Sequence, residues 1–194
     1  GTNITIKYRF EVLDKWTLIS APFPSTTSNI QTYYEDNPVA VNEDPAISLA
    51  TYDGNLTTGN KYTYYPITGN TNGSDGTVTG SPKFTAGKGY STLISSTADD
   101  IADFANPDIT LKGKFNTGQI DIDISDAGDG FNLIGNPYTA YVYGGDEVDV
   151  SNNILVENNG VLDEQTVWYW DSSADDWVTL NLDDAAHNIA PLQG

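Results

Sequence analysis

Apolar and polar residues alternate almost from the first position. Ile4, Ile6, Tyr8 and Phe10 are interleaved with Thr5, Lys7 and Arg9, the period of two expected of a half-buried strand. Ile109-Thr110-Leu111-Lys112-Gly113-Lys114-Phe115 keeps the same phase, with Gly113 where Tyr8 stands. Ile120-Asp121-Ile122-Asp123-Ile124 also alternates and predicts a strand with its carboxylates outward. A second kind of run is Trp16-Thr17-Leu18-Ile19-Ser20-Ala21-Pro22-Phe23. It recurs as Phe131-Asn132-Leu133-Ile134-Gly135-Asn136-Pro137-Tyr138, each version a short buried strand running into a turn. In the later version Gly135 and Asn136 tolerate positive φ, and Pro137 cannot donate to a ladder. The match predicts that Trp16 and Phe131 are equivalent core residues, as are Pro22 and Pro137. Emptying a core Phe131 to alanine would cost about 3–5 kcal/mol.

Between these runs the punctuation is regular. Pro24 to Asn42 is rich in Ser, Thr, Asn and Pro and reads as a surface loop. Ile47–Tyr52 and Lys61–Pro66 predict a hairpin turned at Asp53-Gly54-Asn55, and Thr166–Trp170 with Trp177–Leu180 predicts its counterpart. Gly69 to Pro82 reads as a loop. Phe84-Thr85-Ala86-Gly87-Lys88-Gly89 leads into a strand at Tyr90–Ile94, whereas Ile189-Ala190-Pro191-Leu192-Gln193-Gly194 stops at the glycine matching Gly89. One short helix is expected, over Ala98–Phe104, capped by Thr97 and ended by Asn106-Pro107.

Short strands separated by turn residues predict an all-β protein. Two pseudo-repeated, antiparallel, sandwich-like units are expected, over residues 1–100 and 101–194. They stand apart or pack as one domain. The second lacks the strand that follows Gly89 in the first. Such an open edge invites an added strand. Either the natural chain continues, or a neighbouring molecule donates a segment such as Ile4–Phe10.

Charge changes the range of partners. There are 8 Lys and Arg against 27 Asp and Glu, a net charge of −19. Such a surface repels nucleic acid and anionic membranes. No run is apolar enough to span a bilayer. The polar opening Gly1-Thr2-Asn3-Ile4 is no secretion signal, so the expectation is a removed leader or an excised fragment. The absence of Cys excludes thiol chemistry and Cys-ligated metals.

Catalysis is not expected. His187 is the lone histidine, in an expected loop, and no Gly-x-Ser-x-Gly elbow is present. Gly87-x-Gly89 opens a strand rather than a helix and is no phosphate cradle. The candidate metal is structural calcium, which takes oxygen ligands from loops. Two acidic turns have the oxygen density: Asp126 with Asp129, and Asp171 with Asp175 and Asp176. The first is not an EF-hand, because Asp126 stands where glycine is needed. For sugar binding the candidates are Tyr169 and Trp177, the aromatics left over if Trp168 and Trp170 form the core face of their hairpin.

The order of outer strand, Gly135-Asn136-Pro137-Tyr138 turn, aromatic hairpin ending in Trp170-Asp171, and Ile189-Ala190-Pro191-Leu192-Gln193-Gly194 closure carries a resemblance. It resembles an adhesin-like, β-rich repeat module of large secreted and cell-surface proteins of Bacteroidetes-type bacteria, many exported by the type IX route. The likeness covers Ile109 to Gly194 nearly throughout and the first copy more loosely. In that family an aromatic strand follows the closing glycine, and here none does. The resemblance implies an extracellular, non-catalytic module that contacts other repeats or subunits of one surface assembly. The alternative is a polysaccharide-binding module beside a secreted polysaccharide-degrading enzyme.

Overall fold

The computed structural model describes residues 3–9, 14–23, 29–37, 48–65, 82–94, 108–148, 153–162, 164–171, 173–191 and 193–194. The expected helix over Ala98–Phe104 and the loop over 69–81 lie outside the described residues. So does Phe10.

The all-β expectation is met. β1 (Ile4–Arg9) pairs antiparallel with β6 (Asp108–Gly113). β2 (Trp16–Ser20), β3 (Leu49–Tyr52), β4 (Tyr62–Tyr64) and β5 (Gly89–Leu93) form an antiparallel sheet in the order β2-β5-β3-β4. β7 (Val142–Gly144) pairs with β10 (His187–Ile189), and β8 (Thr166–Asp171) with β9 (Asp176–Asn181). The predicted hairpins, the strand after Gly87-Lys88 and the 109–113 strand are all present.

The core lies against the four-stranded sheet. It contains Ile19, Phe23, Phe84 and Tyr90, with Ile109 and Leu111 of β6 closing it. A helix forms where a surface loop was expected: α1, Ile30–Asp36. Asn29 caps it by accepting from the Gln31 N–H at 2.7 Å, which supplies one of the helix's unpaired donors with a partner. Tyr33 and Tyr34 then enter the core, and their hydroxyls find partners at Thr92 Oγ1 (3.0 Å) and the Tyr65 carbonyl (2.6 Å). A single turn, α2 (Ile154–Glu157), is capped in the same way by Asn153.

Other expectations fail. Residues 120–124 form no strand, and Ile122 and Ile124 are exposed. Phe131 is 56% exposed and Trp16 37%, so neither is core. Removing the Phe131 ring then costs about 0.5 kcal/mol or less, the usual scale for a surface change. Pro22 and Pro137 are both buried, as expected. Gly135 and Asn136 are not at positive φ. Gly135 is small because any Cβ there would overlap the Ser20 side chain. Ile4–Arg9 is occupied by β6 and is not a free donor strand.

The contacts between the halves repeat one another. β1 and β6 meet with Ile6 opposite Leu111, Ile4 opposite Gly113 and Tyr8 opposite Ile109. Isolated bridges join Ile19 to Gln193 and Lys88 to Ile134. The turn before each closing glycine carries the same bond, Lys88 N–H to the Thr85 carbonyl and Gln193 N–H to the Ala190 carbonyl, both 3.1 Å.

Candidate functional site

Two surfaces gather the side chains with chemistry to offer. The first is the outer face of the β8–β9 hairpin. Cross-strand partners share a face, and Trp170 lies opposite Trp177, Trp168 opposite Thr179, and Tyr169 opposite Val178. Trp168, Trp170 and Trp177 therefore stand together. Trp168 is 48% exposed and Trp177 47%. The Trp170 and Trp177 rings meet edge to face at 5.4 Å, and Phe131 meets Trp168 in the same way at 5.7 Å. Trp170 Nε1 is buried with no hydrogen-bond partner among the described residues.

Trp177 is thus exposed, as expected of a ligand candidate, but Tyr169 is not beside it. Tyr169 points to the opposite face, where it stacks on His187 at 4.3 Å and the neighbouring Leu180 is buried. Trp168 takes the place assigned to Tyr169. The period of two separates Tyr169 from Trp168 and Trp170 within β8, but the cross-strand register that puts Trp177 on the Trp170 face is set only by the fold. His187 itself is half-buried in β10 rather than in a loop.

The second surface is a cleft of about 630 Å³ between the β3–β4 end of the sheet and residues 121–134. Tyr52, Lys88, Asp121, Asp123, Phe131 and Asn132 are among its walls. Burial lowers the Lys88 pKa, with Asp53 opposing the shift. Nearby, Asp129 fastens the 127–131 turn to the sheet by accepting from Lys61 Nζ and the Tyr52 hydroxyl. It also accepts from the Phe131 N–H at 3.0 Å. The Lys61 bond, followed by the Tyr52 bond, brings the Asp129 pKa down to about 2.

The acids chosen for calcium are distributed otherwise. Asp126 is exposed in the turn, and Asp129 is committed to Lys61. Asp171 accepts from Ser173 N–H, Ser173 Oγ and Ala174 N–H, bonds that lower its pKa. Asp175 pairs with Lys15 at 3.2 Å, and Asp176 accepts from the Trp177 N–H at 2.8 Å. Among the described residues no group of three or more His, Asp or Glu side chains is placed to hold a metal ion. Among them also no helix is long and apolar enough to cross a membrane.

Asn136 has a role that its sequence did not announce. Its Nδ2 donates to the carbonyls of Ala140 (2.8 Å), Ile189 (3.1 Å) and Ala190 (3.1 Å), and its Oδ1 accepts from the Tyr138 N–H. Asn37 does similar work, joining the end of α1 to Thr110 of β6 through both its amide atoms. An Asn beside a proline signals a turn from sequence, but its distant carbonyl partners are set only by the fold.

Comparison with known proteins finds no family model, no curated protein and no solved structure that matches this chain.

Proposed function

We propose that this chain is a non-catalytic, extracellular β module with a structural or adhesive role in a large cell-surface protein or filament. Its partners are other repeats or subunits of the same assembly. The observation that carries this is the unequal distribution of apolar side chains. Residues 3–94 and β6 supply a dense core. Beyond β6, Leu155 and Leu180 are the buried large apolar residues among those described, whereas Phe131, Tyr141, Val161, Trp168 and Trp177 are exposed. Aromatics gathered on a surface mark contact sites, because they bury much area with little loss of rotamer freedom. The acidic turns are used to fasten backbone, which suits a scaffold.

Attachment tests this directly. Beads coated with the chain should bind the surface fraction of the organism that encodes it. Soluble chain should compete, and Trp168→Ser with Trp177→Ser should reduce attachment at least about tenfold, the scale of losing one aromatic anchor. Attachment unchanged by the double variant would remove the aromatic face from the proposal.

The cleft favours a second reading, a carbohydrate-binding module. Phe131 and Tyr52 offer ring faces, and Asp121 and Asp123 offer hydrogen-bond acceptors for hydroxyls. A panel of immobilised polysaccharides decides it: saturable binding lost in Asp123→Ala supports it, and no binding across the panel removes it.

A further inference from the structure

We infer that the cleft beside residues 121–134 is a subsite for one neutral sugar unit, in which Lys88 donates to the ligand's hydroxyls and Asp53 and Asp123 accept from them. This rests on the carbohydrate reading of the cleft and deepens it, by naming the charge class of the sugar and the residue that selects it. The cleft wall that carries Asp121 and Asp123 is built without strand pairing. Ile122 packs on Gly87 so closely that a Cβ there would overlap its side chain. Ser125 Oγ donates to Asn55 Oδ1 at 2.6 Å. Asn132 holds the Ser125 backbone through both amide atoms, accepting from its N–H at 3.0 Å and donating to its carbonyl at 2.9 Å. The two carboxylates that flank Ile122 are thus carried on a fixed segment facing the end of the sheet.

Lys88 is the one cation among the residues that line the cleft, and its ammonium is unclaimed. Arg9, Lys15, Lys61 and Lys112 each pair with an aspartate. Lys88 is partly buried and makes no side-chain hydrogen bond or ion pair among the described residues. Burial lowers its pKa and the charge of Asp53 opposes the shift, so the two groups sense each other without closing to contact. Asp53 uses Oδ1 to accept from the Asn55 N–H and Nδ2, both at 3.1 Å, which leaves its other oxygen for a ligand. Asp123 has no hydrogen-bond or ion-pair partner among the described residues. A hydroxyl suits an ammonium and a carboxylate held apart, because it accepts from one while donating to the other. A sugar carries several hydroxyls on one ring, and the exposed Phe131 gives that ring an apolar surface to lie against.

Charge sets the class of sugar. The cleft sets one ammonium, Lys88, against three carboxylates, Asp53, Asp121 and Asp123, a net charge of −2. The whole chain carries −19. A uronic acid is therefore repelled. An amino sugar would bring a second ammonium against Lys88, whose own charge is already disfavoured by burial. A neutral hexose or pentose meets neither penalty.

Calorimetric titration of the full chain tests this with hexasaccharides of glucose, mannose, galactose and xylose, with oligogalacturonate as the anion and chitosan hexamer as the cation. At least one neutral hexasaccharide should bind saturably, and both charged ones should bind more weakly. Lys88→Met keeps the apolar stem and removes the ammonium. It should weaken the neutral binding about tenfold or more, the scale of a lost hydrogen bond to a charged group, and leave the denaturant midpoint unchanged. The native chain gives a second readout: bound sugar should slow reductive methylation of Lys88 and leave the exposed Lys7 unchanged. Equal or tighter binding of either charged hexasaccharide overturns the neutral class. Neutral binding that is lost in Asp123→Ala but kept in Lys88→Met, or that leaves Lys88 labelled at its free rate, overturns the role of Lys88 while the carbohydrate reading stands. No binding of any hexasaccharide removes both.

Discussion

Asp129 shows how one exposed carboxylate organises a turn. It takes bonds from Lys61, Tyr52 and the Phe131 N–H, and its pKa falls to about 2 from an ordinary 3.8. A depressed folded-state pKa adds stability that is complete above the unfolded value and disappears as pH falls through the folded one. The window here runs from near pH 4 down to about 2. The denaturant midpoint of the native chain should therefore fall more steeply across that window than that of Asp129→Asn. Parallel slopes would show that Asp129 is not engaged in solution. Calcium at this turn would have to displace a tethered ammonium. The sequence shows the cluster of acids here, but the cation that neutralises one of them, Lys61 just before β4, lies 68 residues away in the chain.

At the scale of elements, strands were legible where alternation coincides with burial on one face. β1 and β6 follow the pattern, β8 and β9 were marked by their aromatic-rich runs about a polar turn, and the glycine-led start of β5 by Gly87-Lys88-Gly89. Ile120–Ile124 has the same alternation without pairing, because periodicity reports a capacity to pair and not the presence of a neighbour. α1 was illegible for the opposite reason. Ile30-Gln31-Thr32-Tyr33-Tyr34 has weak helix propensity, and the helix is held by its Asn29 cap and by two buried tyrosines rather than by its own backbone preference. Asn136 is the corresponding tie for β10. Asn136→Ala leaves the Ala140, Ile189 and Ala190 carbonyls without their donor and should cost about 2–3 kcal/mol, the range for unsatisfied buried polar groups. Urea unfolding measures it, and a loss below about 0.5 kcal/mol, the level of an ordinary surface change, would show that water replaces the amide.

At the scale of the whole molecule the apolar side chains are distributed unequally. One half has a four-stranded sheet and core, and the other turns Phe131, Trp168 and Trp177 outward. The recurrence of the two runs could be read from the chain. What could not be read is that Phe131 of the second run would be left in solvent, since burial depends on what covers a strand and not on the strand itself. The adhesive proposal places the partner on this surface. The most direct measurement is photo-crosslinking in the intact parent assembly, with benzoylphenylalanine replacing Trp168 or, as a control, the exposed Thr117. The account predicts that position 168 crosslinks to another module or subunit of that assembly and position 117 does not. Crosslinks from position 117 alone, or none to the assembly from position 168, would contradict it.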